Sequence, residues 1–424
     1  MKLRLIHRIV PTLALFFGAS CSSLIHAAPM ERVQVDVNRV VGPVTYAGSG
    51  FLIGAFSMDE PDDELFLPLK VKRVRGGEEY LMTVYEKCLE HDIRMEVIGT
   101  SAPYWKEWPL DGGEEGYERL ERHFEELVNR MLDRGLKGLD YCVFIDADSP
   151  WINWVEETDA YFLEAYRRAY EIIKNTDPEA KVVGPGNHWG PITSWWKEHE
   201  GDHTWFMRRF IDYSVENDCV PDIISWHDYS LDGLGITRDA KAVREYLKKK
   251  GLPDLPLEQD DMGGKKSVFR PGIFASYLAN VERSRISYTV KCCWNRDCVG
   301  NSLQGMLTPK DHQPRSLWWM YKSYGDLTGK IVEVSGSETV DAIVAIDTDP
   351  SIIRAVIGRF KNRGEPVLIR FAGLGKQVRS VKVVAERVEN TEHLPLSHPE
   401  QTISETRPVI NGMLDIVLED LNPF

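Results

Sequence analysis

Short apolar runs alternate with helix-like segments over much of the chain, and this order limits the possible folds more than any other feature. The runs start at intervals of roughly 20 to 45 residues, a spacing that suits consecutive βα units of a barrel. Several are almost continuously apolar, as parallel strands covered on both faces are. The eight runs are Gly50–Ala55, Leu69–Arg75, Arg94–Gly99, Leu139–Asp146, Lys181–Pro185, Asp222–His227, Leu255–Gln259 and Tyr288–Trp294. The pattern predicts an α/β chain whose main domain is a (β/α)₈ TIM barrel.

The segments between these runs carry helix signals. Tyr117–Arg134 has one apolar face at helical spacing. That face consists of Leu120, Phe124, Leu127 and Met131. Asp239–Lys250 precedes Gly251, a residue type that commonly follows the end of a helix, and Pro271 is of the type that commonly begins one. Helices placed between the predicted strands complete the barrel pattern.

The pattern changes near Leu327. Six shorter alternating runs follow it, and Gly, Asn and Asp separate them, as in a β-sandwich. The six runs are Ile331–Val334, Ala342–Ile346, Ile352–Ile357, Pro366–Phe371, Val378–Val384 and Met413–Leu418. We predict a barrel domain over residues 29–326 and a smaller C-terminal β-sandwich domain over residues 327–424, to which Val33–Val37 can add a strand.

The first 28 residues have the order of a signal peptide. Basic residues precede an apolar run from Ile9 to Phe17, and small residues follow it. The run is too short for a membrane span, and no later segment has the apolar length that a bilayer requires. Gly18–Cys21 also resembles a lipoprotein box, which would place a lipid anchor on Cys21. We predict an exported protein, periplasmic or extracellular, with a membrane-anchored lipoprotein as the alternative.

Charge and cysteine content argue against some classes of partner. The 424-residue chain has a net charge of −14, whereas nucleic acid binding requires Lys and Arg that neutralise phosphates. Six cysteines follow the signal region, with no CxxC pair and no Cys/His cluster of zinc spacing. We therefore predict no nucleic acid partner, no metal and no cofactor. The pairing of the cysteines in disulfides stays open.

A long run that begins at Tyr141 resembles the region of the fourth barrel strand in clan A glycoside hydrolases. It reads YCVFIDADSPWINWVEETDAYFLEAYRRAYEIIKNTDPEAKVVGPG. Further similarity lies in IISWHDYS at the sixth strand, CCWNRD at the eighth and GKIVEVSGSETVDAIVAID in the tail. The branch that these segments resemble is family 39, the β-xylosidase and α-iduronidase family. The resemblance implies a barrel that hydrolyses glycosidic bonds of a carbohydrate with two carboxylates.

The acid/base motif of that family, Asn-Glu-Pro, is changed in this chain. The resemblance places its Asn at Asp146, its Glu at Ala147 and its Pro at Asp148. Alanine has no proton to donate, so the usual general acid is missing. We predict Asp148 as a substitute acid, with Asp146 as the other candidate on this strand. The alternative for Asp148 is a chain turn that caps a helix.

The seventh strand ends in several acids. The family carries a nucleophilic Glu at this strand end, where the chain reads LPDLPLEQDDMGG. Glu258, Asp260 and Asp261 all lie near the expected place, and the register stays open from the sequence alone. We predict Glu258 as the nucleophile, with Asp260 next. A solvated loop and a site for a cation such as Ca²⁺ are the alternatives.

Seven further residues near predicted strand ends are candidates for binding the sugar, because barrel active sites gather at the carboxyl ends of the strands. An arginine can clamp a carboxylate, and aromatic rings can stack on the apolar faces of sugars. The resemblance implies that His227 and Tyr229 orient the nucleophile or contact sugar. The seven candidates are Arg75, Trp105, Asn187, His188, His227, Tyr229 and Trp294.

Two functions follow from these patterns. The first is hydrolysis of an extracellular or periplasmic oligo- or polysaccharide by substituted carboxylates. The second is non-catalytic carbohydrate binding on the same barrel, because Ala147 removes the usual acid while aromatic platforms can still hold a sugar. The separation of the carboxylates at the fourth and seventh strand ends is the structural feature that bears on the choice.

Overall fold

The computed structural model of the protein describes residues 2–4, 30–100, 114–146, 159–188, 190, 204–230, 232–264, 267–361, 365–419 and 421. The chain divides into two compact units. The first, here called the barrel unit, contains Tyr46–Val268 and Asn280–His312. The second, here called the sheet unit, contains Met1–Thr45, Phe269–Ala279 and Gln313–Phe424.

Strands and helices alternate along the barrel unit. The strands of the whole described chain are β1 Lys2–Arg4, β2 Glu31–Pro43, β3 Gly50–Leu52, β4 Arg73–Gly76, β5 Arg94–Ile98, β6 Asp140–Cys142, β7 Lys181–Asn187, β8 Ile223–Asp228, β9 Leu257–Met262, β10 Tyr288–Lys291, β11 Lys330–Ser335, β12 Val340–Ile346, β13 Ile352–Arg359, β14 Val367–Ala372, β15 Ser380–Arg387, β16 Glu400–Pro408 and β17 Leu414–Leu418. The helices are α1 Asp63–Phe66, α2 Glu78–Glu90, α3 Glu114–Asp133, α4 Asp159–Thr176, α5 Thr204–Glu216, α6 Leu234–Lys249, α7 Pro271–Arg283 and α8 Ser316–Gly325, with short 3₁₀ helices at Leu67–Leu69 and Arg296–Cys298.

Strands β3 to β10 form a closed parallel barrel in chain order, which confirms the predicted (β/α)₈ fold. The eighth strand returns to the first through the pairing of Lys291 with Phe51. Helices cover the barrel with their apolar faces. In α3 the buried side chains include the whole predicted face of Leu120, Phe124, Leu127 and Met131.

The fourth and seventh barrel strands differ from their predicted bounds. β6 is only three residues long, so Asp146 lies beyond the strand end. β9 runs to Met262, three residues past the predicted end, and so contains the whole acidic run. Trp226 of β8 pairs with Gln259, but His227 pairs with Asp261, so Asp260 is the extra residue of a β-bulge.

The sheet unit contains a nine-stranded sheet in the order β16-β15-β1-β13-β12-β11-β2-β14-β17. The predicted second β-domain is therefore confirmed, and its description as two packed layers stays a prediction. The predicted strand at Val33–Val37 is part of the longer β2. β16 escaped prediction because Ile403 is its one buried side chain among largely exposed polar residues. The signal peptide concerns residues mostly outside the described ranges and stays a prediction.

No helix in the described part of the chain combines the length and the apolar character needed to cross a bilayer.

Closure of the barrel depends on a glycine. A Cβ at Gly50 of β3 would lie 1.8 Å from the carbonyl oxygen of Thr289 in β10 and 2.8 Å from the Cβ of Arg73 in β4. Backbone cannot move away from this contact without separating paired strands. The position therefore requires glycine for close approach of its neighbours.

We predict that Gly50→Ala lowers the free energy of unfolding by about 3 kcal/mol or more, because overpacking here meets backbone on one side. Urea unfolding followed by circular dichroism measures the change. Gly77→Ala is the matched control, since a Cβ at Gly77 meets nothing within 4 Å. Equal stabilities of the two variants would contradict the proposed close approach.

Candidate functional site

A cleft of about 1280 Å³ lies at the carboxyl ends of the barrel strands. Every barrel strand, or the segment directly after it, contributes to its wall. The lining residues include Leu52, Arg75, Glu78, Tyr80, Ile98, His123, Arg130, Asp146, His188, Tyr229, Asp261 and Trp294. Its size exceeds that of pockets for single small ligands, which measure about 300–1,000 Å³.

Below this cleft the barrel interior holds a buried ion network around Arg73. Its guanidinium bonds to Glu258 through Nε, at 2.9 Å from Oε1, and also through Nη2. It also bonds to Asp140 and, at 3.0 Å, to Glu96. Arg73, Glu96, Asp140 and Glu258 are all fully buried. Burial raises the pKa of Glu258 well above its ordinary value, although Arg73 opposes this rise.

Arg75 forms a second layer closer to the cleft, because residues two apart on a strand point to the same side. Its Nη1 donates to the carbonyl oxygen of Asp260 at 2.8 Å, and its Nε donates to Glu96 at 3.1 Å. Its Nη2 lies 3.3 Å from the Asp260 carboxylate. Burial raises the pKa of Asp260 to about 7, with Arg75 acting in the opposite direction.

Asp261 is the acid of β9 that lines the cleft. It accepts a hydrogen bond from the hydroxyl of Tyr229 at 3.0 Å and lies 3.6 Å from Nη1 of Arg75. Its carboxyl group is buried away from water, and the carboxyl groups of Asp260 and Asp146 lie nearby. Burial raises its pKa to about 8, Arg75 lowers it, and the neighbouring acids raise it further.

Asp146 faces the same cleft from the end of the fourth strand. Its Oδ1 lies 2.5 Å from Nδ1 of His188 and 3.3 Å from Nδ1 of His227. Its backbone has a φ of 58°, in the left-handed region that Asp tolerates better than most residues. Burial acts to raise its pKa, but the bond with His188 and the nearby His227 hold the pKa below its ordinary value.

His227 places one ring nitrogen, Nδ1, beside both cleft carboxylates. Its Nδ1 lies 2.8 Å from the hydroxyl of Tyr229, 3.3 Å from Asp146 and 3.9 Å from Asp261. Its Nε2 lies 3.3 Å from Oδ1 of Asp260. Burial lowers the pKa of His227 to about 3, so the ring is neutral at ordinary pH.

The structure brings some predicted site residues together and separates others. Arg75, Asp146, His188, Tyr229 and Trp294 line the cleft, and Trp294 is 58% exposed. Glu258, the predicted nucleophile, is not among the described residues of the cleft wall. Its side chain is engaged by Arg73 in the barrel interior, and Asp260 lies beside Arg75.

Asn187 is fully buried, and its two side-chain amide atoms have no hydrogen-bond partner among the described residues. Asp148 and Trp105 lie outside the described residues, as does Ala147.

The cleft wall after the second strand was not predicted from the sequence. Glu78 there pairs with Arg130 of α3 at 2.9 Å, and both residues line the cleft. The signal was present in the run Arg75-Gly-Gly-Glu-Glu-Tyr80, where polar residues directly follow a strand end. Arg73 was also not predicted as a site residue. It lies two residues before Arg75, so both arginines point to the inner side of β4.

A disulfide joins Cys293 to Cys298 and spans the segment that carries Trp294. Cys88, Cys142, Cys219 and Cys292 are free and buried. The disulfide closes a loop directly after the eighth strand and so restrains the backbone on both sides of Trp294.

Two groups of described side chains have the donors and spacing to hold a metal ion. Asp146, His188 and His227 each place one ligand atom within 4.8 Å of the others, and so do Glu96, Cys142 and Asp260. The second group is buried against the Arg75 guanidinium, which lies 3.3 Å from the Cys142 sulfur and already supplies positive charge. The first group opens to the cleft.

No protein-family model matches the chain. Two curated relatives are similar to it. One is a 3-O-β-L-arabinopyranosyl-α-L-arabinofuranosidase from Bifidobacterium pseudocatenulatum, 23% identical over 342 residues. The other is a 3-O-α-D-galactosyl-α-L-arabinofuranosidase from Bifidobacterium longum subsp. longum, 20% identical over 491 residues. The alignments cover 72% and 98% of this chain but only 33% and 42% of the relatives.

Solved structures share the fold over nearly the whole chain. N2152 from Neocallimastix frontalis has a TM-score of 0.76 at 21% identity, covering 93% of this chain and 97% of that one. A GH39 enzyme from Xanthomonas axonopodis pv. citri has a TM-score of 0.60 at 13% identity, covering 94% and 96%. The resemblance to family 39 is thus confirmed at the level of the fold.

We predict that Asp261 makes stability fall with rising pH. In the unfolded chain an aspartate loses its proton near pH 4, whereas folded Asp261 keeps it to about pH 8. Between these values the folded state binds more protons than the unfolded state, so the free energy of unfolding decreases as pH rises. Asp261→Asn removes this decrease.

Chemical denaturation at several pH values measures the effect as the difference between wild type and variant. Asp239→Asn is the matched control, because burial raises the pKa of Asp239 to only about 6. The difference in free energy of unfolding between wild type and Asp239→Asn should stop changing above about pH 6. The corresponding difference for Asp261→Asn should stop changing above about pH 8. Parallel stability curves for wild type and Asp261→Asn would show that Asp261 ionises at its ordinary pKa.

Proposed function

We propose that this chain hydrolyses a glycosidic bond of a saccharide bound in the barrel cleft, with Asp261 as general acid and Asp146 as the anionic carboxylate. The proposal rests on one observation: these two acids, from the seventh and fourth strand ends, approach the same ring nitrogen of His227 and line the same cleft. Glycoside hydrolysis requires two carboxyl groups on opposite sides of the scissile bond.

The separation of the two carboxyl groups fits this chemistry. Oδ1 of Asp146 and Oδ2 of Asp261 lie 3.3 and 3.9 Å from the same nitrogen of His227. They are therefore at most about 7 Å apart, a range that includes the roughly 5 Å of retaining enzymes and the roughly 6.5 Å lower limit of inverting ones. Both stereochemical outcomes are compatible with this limit.

The surroundings of Asp261 and Asp146 give the two carboxyl groups different pKa values, and these values assign their roles. A general acid must be protonated at the working pH, and the second group must be charged. Burial raises the pKa of Asp261 to about 8, whereas the bond with His188 holds the pKa of Asp146 below its ordinary value. The roles of the two strand ends are thus exchanged relative to those that the family resemblance implies.

This proposal replaces two of the residues expected from the sequence. Glu258 and Asp260 belong to the buried network of Arg73 and Arg75, where each carboxyl group contacts a guanidinium. Asp148 remains a separate candidate from outside the described residues. An Asp148→Asn variant distinguishes it, since the present proposal requires Asp146 and Asp261 only.

The substrate that we propose is a saccharide in which the scissile bond is that of an α-L-arabinofuranosyl residue, with or without a further sugar attached to it. The two curated relatives act by name on substituted α-L-arabinofuranosides. The cleft has room for more than one sugar ring, and exposed Trp294 offers a face on which a ring can stack. We also propose, from the first 28 residues, that the protein acts after export, with Cys21 as a candidate lipid anchor.

A second candidate function is carbohydrate binding without hydrolysis. It is favoured by Ala147, the residue at which the resemblance to family 39 places the acid/base Glu. Binding would need the cleft wall and Trp294 but no ionisable pair. Saccharide affinity measured by calorimetry, together with the absence of any hydrolysis, would favour this function over the first.

We predict a bell-shaped dependence of kcat/KM on pH for aryl α-L-arabinofuranosides or aryl β-D-xylosides. Activity should decline above about pH 8, where Asp261 loses its proton, and again at acid pH, below the ordinary pKa of an aspartate, where Asp146 gains one. Asp261→Asn and Asp146→Asn should each lower kcat/KM by about 10²–10⁴-fold.

Asp239→Asn is the control for these measurements, because it removes another buried aspartate of raised pKa outside the described cleft wall. Its kcat/KM should equal that of the wild type. Full activity of both cleft variants would disprove the assignment, and a loss in Asp148→Asn alone would move the general acid to that residue.

A further inference from the structure

We propose that Asp146, His188 and His227 form a binding site for a divalent transition-metal ion, with Zn²⁺ as the best-suited ion. The three side chains place one carboxylate oxygen and two imidazole nitrogens within 4.8 Å of one another. The proposal goes beyond saccharide hydrolysis, since metal binding requires no sugar.

The donor atoms converge on one small volume. Nδ1 of His188 and Nδ1 of His227 lie 2.5 and 3.3 Å from the same oxygen of Asp146. The hydroxyl of Tyr229 and a carboxylate oxygen of Asp261 are 2.8 and 3.9 Å from that His227 nitrogen. One ring nitrogen forms a single good hydrogen bond, whereas a metal ion can bind several of these atoms at once.

The far side of His227 has the arrangement found behind metal-bound histidines. Its Nε2 lies 3.3 Å from Oδ1 of Asp260, and neither atom has a hydrogen-bond partner among the described residues. Metal-ligating histidines usually donate their second N–H to a carboxylate, which fixes the ring and the tautomer. A proton on Nε2 leaves Nδ1 as the lone-pair donor, on the side of Asp146 and His188.

Donor type selects the ion. Two imidazoles and one carboxylate suit Zn²⁺ and its first-row neighbours, whereas Ca²⁺ and Mg²⁺ prefer sites built from oxygen alone. Three protein ligands leave at least one coordination position of a tetrahedral ion. Since Asp146 and His188 line the cleft, that position faces the cleft and can take water or a sugar hydroxyl.

Metal binding and the proposed hydrolysis share Asp146. A carboxylate that coordinates an ion is not available as the anionic group of glycoside cleavage, so the loaded and the hydrolytic protein are alternative states of one cleft. A binding measurement in the absence of sugar tests the site independently of hydrolysis. Failure of one proposal therefore leaves the other standing.

The test uses the full chain without an affinity tag, stripped of metal by dialysis against a chelator. Isothermal titration with Zn²⁺ should show one ion per chain, and titration with Co²⁺ should give the visible absorption of a four- or five-coordinate ion. Loss of an outer-sphere partner costs about 10–100-fold in metal affinity. Loss of a ligand in His188→Ala or Asp146→Asn should therefore cost about 100-fold or more.

Glu79→Gln is the matched control, because Glu79 lines the cleft but lies outside the group of three ligands. It should bind Zn²⁺ as the wild type does. Circular dichroism spectra that match the wild type confirm that each variant is folded. Absence of stoichiometric binding by the wild type, or unchanged affinity in both His188→Ala and Asp146→Asn, would overturn the proposal.

Discussion

Two buried arginines on one short strand set the character of the whole barrel interior. Arg73 and Arg75 point inward from β4, and Glu96, Asp140, Glu258 and Asp260 surround them. Removing one partner from such a buried network costs about 3–5 kcal/mol, since the remaining charges lose their compensation. Burial raises the pKa values of Asp260 and Asp261 to about 7 and 8; Arg75 lowers both values, and the neighbouring acids raise them further. A protonated carboxyl at the cleft is thus a consequence of how the barrel is filled.

The order of strands and helices was predictable because hydrophobic periodicity depends on burial, and burial on both faces leaves a strong pattern. All eight barrel strands were found within a few residues of their predicted places. The side to which each acid of β9 points could not be predicted in this way. Glu258, Asp260 and Asp261 differ in function because of alternation and one bulge, and a single extra residue reverses the side to which all later residues point. Periodicity carries no signal for such a residue.

The candidate site was predicted in part for the same reason. Strand ends of a parallel barrel meet at one face, so Arg75, Asp146, His188, Tyr229 and Trp294 were expected at the cleft and line it. The pairing of Glu258 with Arg73 was not expected, because it joins residues 185 positions apart. Which of several nearby acids an arginine binds depends on barrel register, and a single sequence does not specify that register.

Both cleft acids reach their positions through local departures from regular strand geometry. Asp146 lies four residues beyond the end of β6, where strand alternation no longer fixes the direction of a side chain. Its backbone is left-handed, with φ of 58°, and its side chain contacts His188 and His227. On β9 the extra residue Asp260 interrupts the strand alternation, and Asp261 lines the cleft. The fourth strand end therefore supplies a carboxylate to the cleft although position 147 is an alanine.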